Sequence, residues 1–238
     1  MTTGLKEFSR IYSDEMETKK PEEIDAVIIC IDFRKVEQSR RLLQTQGLMD
    51  GDYHLLATAG AARNENTFSL VSPSEDNQHL SSLINLSHKD CGYAKKQGDD
   101  SEQAHEHSMQ KLGQSLKKAN QDLQYSSFLL PVRSGDLEKH HCKAVAIILG
   151  KPSIVKKSRQ ELDHLGLTSN HDEIARPFNL DPEDESIWQD LDISLHLHQP
   201  NRILIFDENE ENVRILVKKA SQMAAGIEIE PKVVSQVI

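Results

Sequence analysis

The chain has 238 residues, a formal net charge of −10 and three cysteines. That length suits one large α/β domain with a real core, and the acidic balance, with no run of Lys and Arg interleaved with aromatics, excludes a phosphate-tracking surface and with it a nucleic-acid partner. Three cysteines are too few, and too odd a number, for a disulfide framework, so thiols stay available for metal or chemistry. The N-terminal MTTGLKEFSRIYSDEMETKK has no apolar signal core and no apolar run nears a bilayer span, so the expectation is a soluble, cytoplasmic protein with no membrane partner. Leu5, Phe8, Ile11 and Tyr12 instead recur at helical spacing, which predicts an amphipathic helix over about residues 4–19 that needs a surface to pack on.

Short apolar runs follow at 26–30, 54–57, 83–86, 128–130, 144–149 and 202–206. Rich in Ile, Val and Leu without strict alternation, they predict strands buried on both faces of a parallel sheet. Helix-like segments lie between them at 35–46, ending at Gly47, at 101–124, and at 208–224, ending before Gly226. The stretches 60–78 and 166–185, rich in Asn, Asp, Ser and Pro, read as loops or partial helix, and the tail 227–238 around Pro231 reads as an edge strand. No internal repeat stands out. Strand and helix alternate, so the expected class is α/β: a central, mainly parallel sheet flanked by helices, forming a single domain over 1–238.

The chemistry concentrates at two strand ends. The first strand runs into Cys30-Ile31-Asp32-Phe33-Arg34 and the third into His88-Lys89-Asp90-Cys91-Gly92, and the carboxyl ends of parallel strands are where open α/β sheets place ligand crevices. Two thiolates and an imidazole suit Zn²⁺, and three protein ligands leave its fourth tetrahedral position open, as in catalytic zinc sites. Cys30 alone would read as a small buried core residue; its partners at 88 and 91 reverse that. Asp32 and Arg34, two residues apart, project to one side of an extended chain and can pair. The pair reads either as a device that keeps a carboxylate ionised beside the metal or as a structural ion pair capping the next helix. An Asp32 that ligated the metal would instead close the site.

Cys-x-Asp-x-Arg followed by His-x-x-Cys-Gly, each after an apolar run, resembles the signature of the β-class carbonic anhydrases. The resemblance covers residues 24–92 and includes Gly51-Asp52 before the second strand and Ala59-Gly60 after it; Ser87 stands where family members commonly have Gly. It implies Cys30, His88 and Cys91 as zinc ligands, Asp32 and Arg34 as the catalytic dyad, and Gly60 in the wall of the substrate pocket. It further implies a homodimer or higher homo-oligomer, with an N-terminal helix reaching across to its partner. The implied reaction is the reversible hydration of CO₂ to bicarbonate through a zinc-bound hydroxide. Two alternatives keep the same zinc site: hydrolysis of a related small molecule such as COS or CS₂, and a zinc-binding relative without catalysis that serves a structural or interacting role.

The remaining histidines read more plainly. His140-His141-Cys142 lies in a surface approach to the strand at 144, where adjacent residues point to opposite faces and do not converge. His105 and His107 in a charged helix, and His196 and His198 on one face of a possible strand, read as solvated or incidental, with a proton-shuttling histidine at the pocket mouth as the other reading. The acidic groups at 181–185 and 207–211 read as a turn and a helix N-terminus. No phosphate-cradling glycine loop occurs.

Overall fold

The computed structural model describes residues 26–71, 80–133, 141–176 and 181–234. The helix expected over residues 4–19 and His140 lie outside them. The strands are β1 (Ala26–Cys30), β2 (His54–Thr58), β3 (Ser82–His88), β4 (Gln124–Leu130), β5 (Ala144–Leu149), β6 (His171–Arg176), β7 (Arg202–Asp207) and β8 (Glu228–Val233). The helices are α1 (Phe33–Thr45), α2 (Thr67–Val71), α3 (Gly92–Lys96), α4 (Glu102–Ala119), α5 (Pro152–His164), α6 (Glu185–His198) and α7 (Glu210–Met223), with a 3₁₀ turn at Ala61–Arg63.

The strands form one sheet in the order β4-β3-β1-β2-β6-β5-β7-β8. Every neighbouring pair is parallel except β2 and β6, which meet antiparallel at Ala57 and Ala175. The sheet is therefore two parallel blocks of opposite direction, joined in the middle. Successive residues of a strand face opposite sides, so Ala26, Ile28 and Cys30 pack with α4, α6 and α7 while Val27 and Ile29 pack with α1 and α5. Both faces are covered, which is why these strands read as unbroken apolar runs.

Caps set the helix starts. Asp32 accepts from the Arg34 amide at the head of α1, Ser101 from Ala104 at α4, Asp184 from Ser186 at α6 and Asn209 from Glu211 and Asn212 at α7, each satisfying amides that the helix leaves open. The acidic groups at 181–185 and 207–211 thus flank helix N-termini. The predicted edge strand is β8, with Pro231 on the outermost strand.

Three expectations are corrected. The helix expected over 101–124 stops at Ala119, and Gln124 already opens β4: the strand expected at 128–130 is there, extended backward by the polar, half-buried QYSS that hides its start. The loop expected over 166–185 holds β6, HDEIAR, buried throughout. Its polar residues hid it: Glu173 is gripped by Arg159 at 2.9 and 2.8 Å, and Arg176 by Asp190 at 2.6 Å, so the charges enter the core in pairs. The possible strand bearing His196 and His198 is the last turn of α6; Ile187, Trp188 and Leu191 face the core at helical spacing, and the alternation near its end was fortuitous. Among the described residues, no helix is long and apolar enough to cross a membrane.

Candidate metal centre

Parallel pairing of β1 with β3, Ile29 beside Leu86, sets Cys30 and His88 at neighbouring strand ends. The turn after β3 then returns Cys91 to the head of α3. One donor atom from each of Cys30, His88 and Cys91 lies within 4.8 Å of the others, and all three residues are buried. Donors around a tetrahedral ion sit roughly 3.4–3.8 Å apart, so a small contraction closes the set. His88 Nδ1 faces the Lys89 carbonyl at 2.9 Å, whereas its Nε2 is buried without a hydrogen-bond partner. That is the ring orientation a metal requires, with Nδ1 toward a carbonyl and Nε2 toward the two sulfurs. Cys30 Sγ accepts the Gly60 amide at 3.3 Å. The cluster can hold a metal ion.

The charges fit that role. Cys91 is held well below the usual thiol range, first by a hydrogen bond from Cys30 and then by the adjacent His88, against burial; Cys30, the donor of the pair, is pushed up. Burial drives His88 down, but the Cys91 charge outweighs it and raises the imidazole to about 9. An incoming cation must therefore displace protons.

Asp32 lies beside the cluster, its Oδ2 3.8 Å from His88 Nε2. Arg34 clamps it through Nε at 2.9 Å and Nη2 at 2.6 Å. Burial would raise this carboxyl, yet Arg34 lowers it to about 2. The same carboxylate caps α1 through the Arg34 amide at 3.0 Å, so the capping and the ionised-carboxylate readings of the pair hold together.

Several supports of the cluster carry no strong signal in the sequence. Arg34 also bonds Asp90, through Nη1 at 2.7 Å to the carboxylate and Nη2 at 2.8 Å to the carbonyl. Asp90 sits at φ +63°, the left-handed region that Asp tolerates better than most residues. Its place inside His-x-x-Cys was the available signal. The Cys91 amide donates to Asp100 at 3.1 Å, and Asp100 meets His105 Nε2 at 2.8 Å. His105 is thus buried and structural rather than solvated, while His107 and His196 are exposed. Cys142 is buried and His141 exposed at the approach to β5, and neither joins the cluster.

His198 departs most from its solvated reading. With Leu197 and Ile193 of α6 it faces Cys30, Gly60 and Tyr93 across a cleft of about 10 Å³, close to the smallest void that takes one water. Its ring meets Phe33 edge-on at 5.1 Å. Asp172 of β6, wholly buried, accepts the Phe33 amide at 2.9 Å. Burial, with Asp32 nearby, pushes its carboxyl well above the usual range.

Gly60 lines this cleft at φ +82°, and a Cβ there would fall 2.5 Å from Tyr93 Cδ1. Gly60→Ala is expected to cost about 1–3 kcal/mol through backbone strain alone, with Tyr93 displaced as well. Urea unfolding measures the cost, and a midpoint equal to that of the parent would refute it. Comparison of the chain with protein-family models, with curated proteins and with solved structures finds no match.

Proposed function

We propose that the chain is a zinc-dependent catalyst of the reversible hydration of CO₂ to bicarbonate, as in the β-class carbonic anhydrases that its motifs resemble. The observation that carries this reading is the convergence of two cysteine sulfurs and an unpartnered imidazole nitrogen within 4.8 Å, beside an Asp32 that Arg34 keeps ionised. Zinc bound to such a set supplies a Lewis acid that brings the ionisation of water near neutrality.

The protein's own groups do the rest. Arg34 holds Asp32 away from a ligand role, because both carboxylate oxygens already receive guanidinium hydrogen bonds. Asp32, held ionised, can then accept a hydrogen bond from a water in the cleft and so aim the oxygen lone pair at a substrate carbon. The cleft walled by Gly60, Ile193 and Leu197 is small, so a substrate that reaches the cluster through it must be small as well. His198, lining the cleft and only partly buried, would be the group to pass a proton outward.

Stopped-flow CO₂ hydration by zinc-loaded protein tests the reading. The expected result is saturable turnover that falls roughly 10²–10³-fold in Asp32→Ala, a loss typical of removing one preorganised polar group. Absence of turnover in the fully loaded parent would sink it. Turnover of COS or CS₂ in preference to CO₂ would transfer the same machinery to hydrolysis.

A further inference from the structure

The two blocks of the sheet are built alike. Numbered from its own first strand, each has the order 2-1-3-4 and is wholly parallel, and the two second strands, β2 and β6, meet antiparallel. The contact pairs Ala57 with Ala175, which hold the same place in their blocks: Ala57 lies beside Ile29 of β1 and Ala175 beside Ile148 of β5. A residue facing its own counterpart marks a two-fold axis. Helices obey the same axis, α1 packing on β6 and α5 on β2.

A sequence echo accompanies the symmetry and corrects the impression that the chain has no repeat. Ser39-Arg40, Leu43 and Gly47-Leu48 recur at one constant spacing as Ser158-Arg159, Leu162 and Gly166-Leu167. Both glycines have positive φ, +80° and +68°, and both leucine amides close the helix end, Leu48 onto Leu43 at 3.0 Å and Leu167 onto Leu162 at 2.8 Å. The same spacing sets Leu149 against Cys30, Lys151 against Asp32 and Ser153 against Arg34. Residues 149–153 and 207–211, at the ends of β5 and β7, contain no Cys or His.

We infer that the C-terminal block, 144–233, is a fused second copy of the N-terminal unit that has lost the metal donors and takes the place of a partner subunit, its Asp172 and His198 acting as positioning residues for the first copy's metal pocket. Asp172 reaches across the axis to the Phe33 amide, between Asp32 and Arg34, with its Oδ2 buried and unpartnered 3.9 Å from His198 Nε2. Together they fix the start of α1, which carries the Asp32–Arg34 pair, and close the cleft against Phe33. The inference rests on the metal reading of Cys30, His88 and Cys91 and is independent of the substrate.

Cobalt(II) loading of the full chain tests it. One equivalent per chain is expected, retained when the protein is diluted to a monomer in sedimentation. Asp172→Ala and His198→Ala should each shift the visible cobalt spectrum and change azide affinity by about tenfold, the usual scale for groups that orient a metal site. Lys151→Ala, at the counterpart of Asp32, should change neither. His198→Ala, at a helix end, keeps the test valid if Asp172→Ala fails to fold. Two equivalents per chain, cobalt lost on dilution to monomers, or unaltered spectra and azide affinity in every foldable variant of the pair would each overturn the inference. A chain that binds cobalt in this way but hydrates no CO₂ leaves the inference standing and removes only the assigned reaction.

Discussion

Cys91→Ser is expected to abolish stoichiometric zinc binding and, with it, CO₂ hydration. Cys91 supplies the donor that its surroundings hold most firmly as a thiolate, and its amide is anchored to Asp100. A hydroxyl offers zinc a harder, protonated oxygen in place of soft sulfur. Loss of an orienting neighbour alone costs 10–100-fold in affinity, so loss of the donor itself should exceed about a hundredfold. Chelator competition at fixed pH measures it. Cys142→Ser is the matched control, since Cys142 is buried away from the donor set, and it should keep full metal content. Equal zinc content in Cys91→Ser and the parent would refute the assignment of the site.

The second large effect concerns stability. Arg159 grips Glu173 through two hydrogen bonds at 2.9 and 2.8 Å, with both side chains essentially inaccessible to water. Arg159 also contacts Tyr53 and Asp50, and His171 meets the same carboxylate. Arg159→Met strands a buried charge and is expected to cost about 3–5 kcal/mol, whereas replacing both partners with apolar residues should recover much of that loss. Burial favours the protonated form of Glu173, but Arg159 prevails and holds the carboxyl well below its usual range. A lowered pKa in the folded state gives stability that is complete above the unfolded value, about 4.3 for Glu, and is lost as pH falls toward the folded one. The parent should therefore weaken in acid below about pH 4, and Arg159→Met should weaken less steeply over that window. Thermal unfolding of both proteins across pH 2–7 checks the sign; parallel profiles would refute it.

Much of this architecture was legible in the residues. The runs at β1, β5 and β7 betray strands covered on both faces, and Cys30, His88 and Cys91 stood out because each follows such a run in a chain nearly free of other thiols. What stayed hidden is instructive. Strand β6 conceals itself because His171, Asp172, Glu173 and Arg176 are buried by pairing and hydrogen bonding, which no hydropathy pattern reports. Asp172 and His198 reach the metal pocket only because the sheet reverses direction at β2 and β6, bringing the starts of one block's strands against the ends of the other's. That reversal is a property of pairing between distant segments, and spacing along the chain carries no trace of it. The Ser-Arg to Gly-Leu echo was present, but ten residues of half-identity gain meaning only once the two helices they end are seen to be symmetry mates.

The reversal also sets how the two blocks are joined. Within each block every strand is laced to its neighbour by a run of paired residues, whereas the blocks join through the single pair Ala57 and Ala175. Beside it the Glu173 amide donates to the Ile31 carbonyl at 3.3 Å, and side chains add Arg176 on the Ala57 carbonyl at 2.5 Å and Asp190 on the Ala59 amide at 2.9 Å. Such a joint depends on charged and polar side chains more than on a ladder, and the Arg159–Asp50 and Arg40–Asp163 pairs cross it as well. The donors sit on one side of it and the cleft's cover, Ile193 to His198, on the other. All three candidate donors thus belong to one block, while the width of the cleft beside them is set by how the second block meets the first.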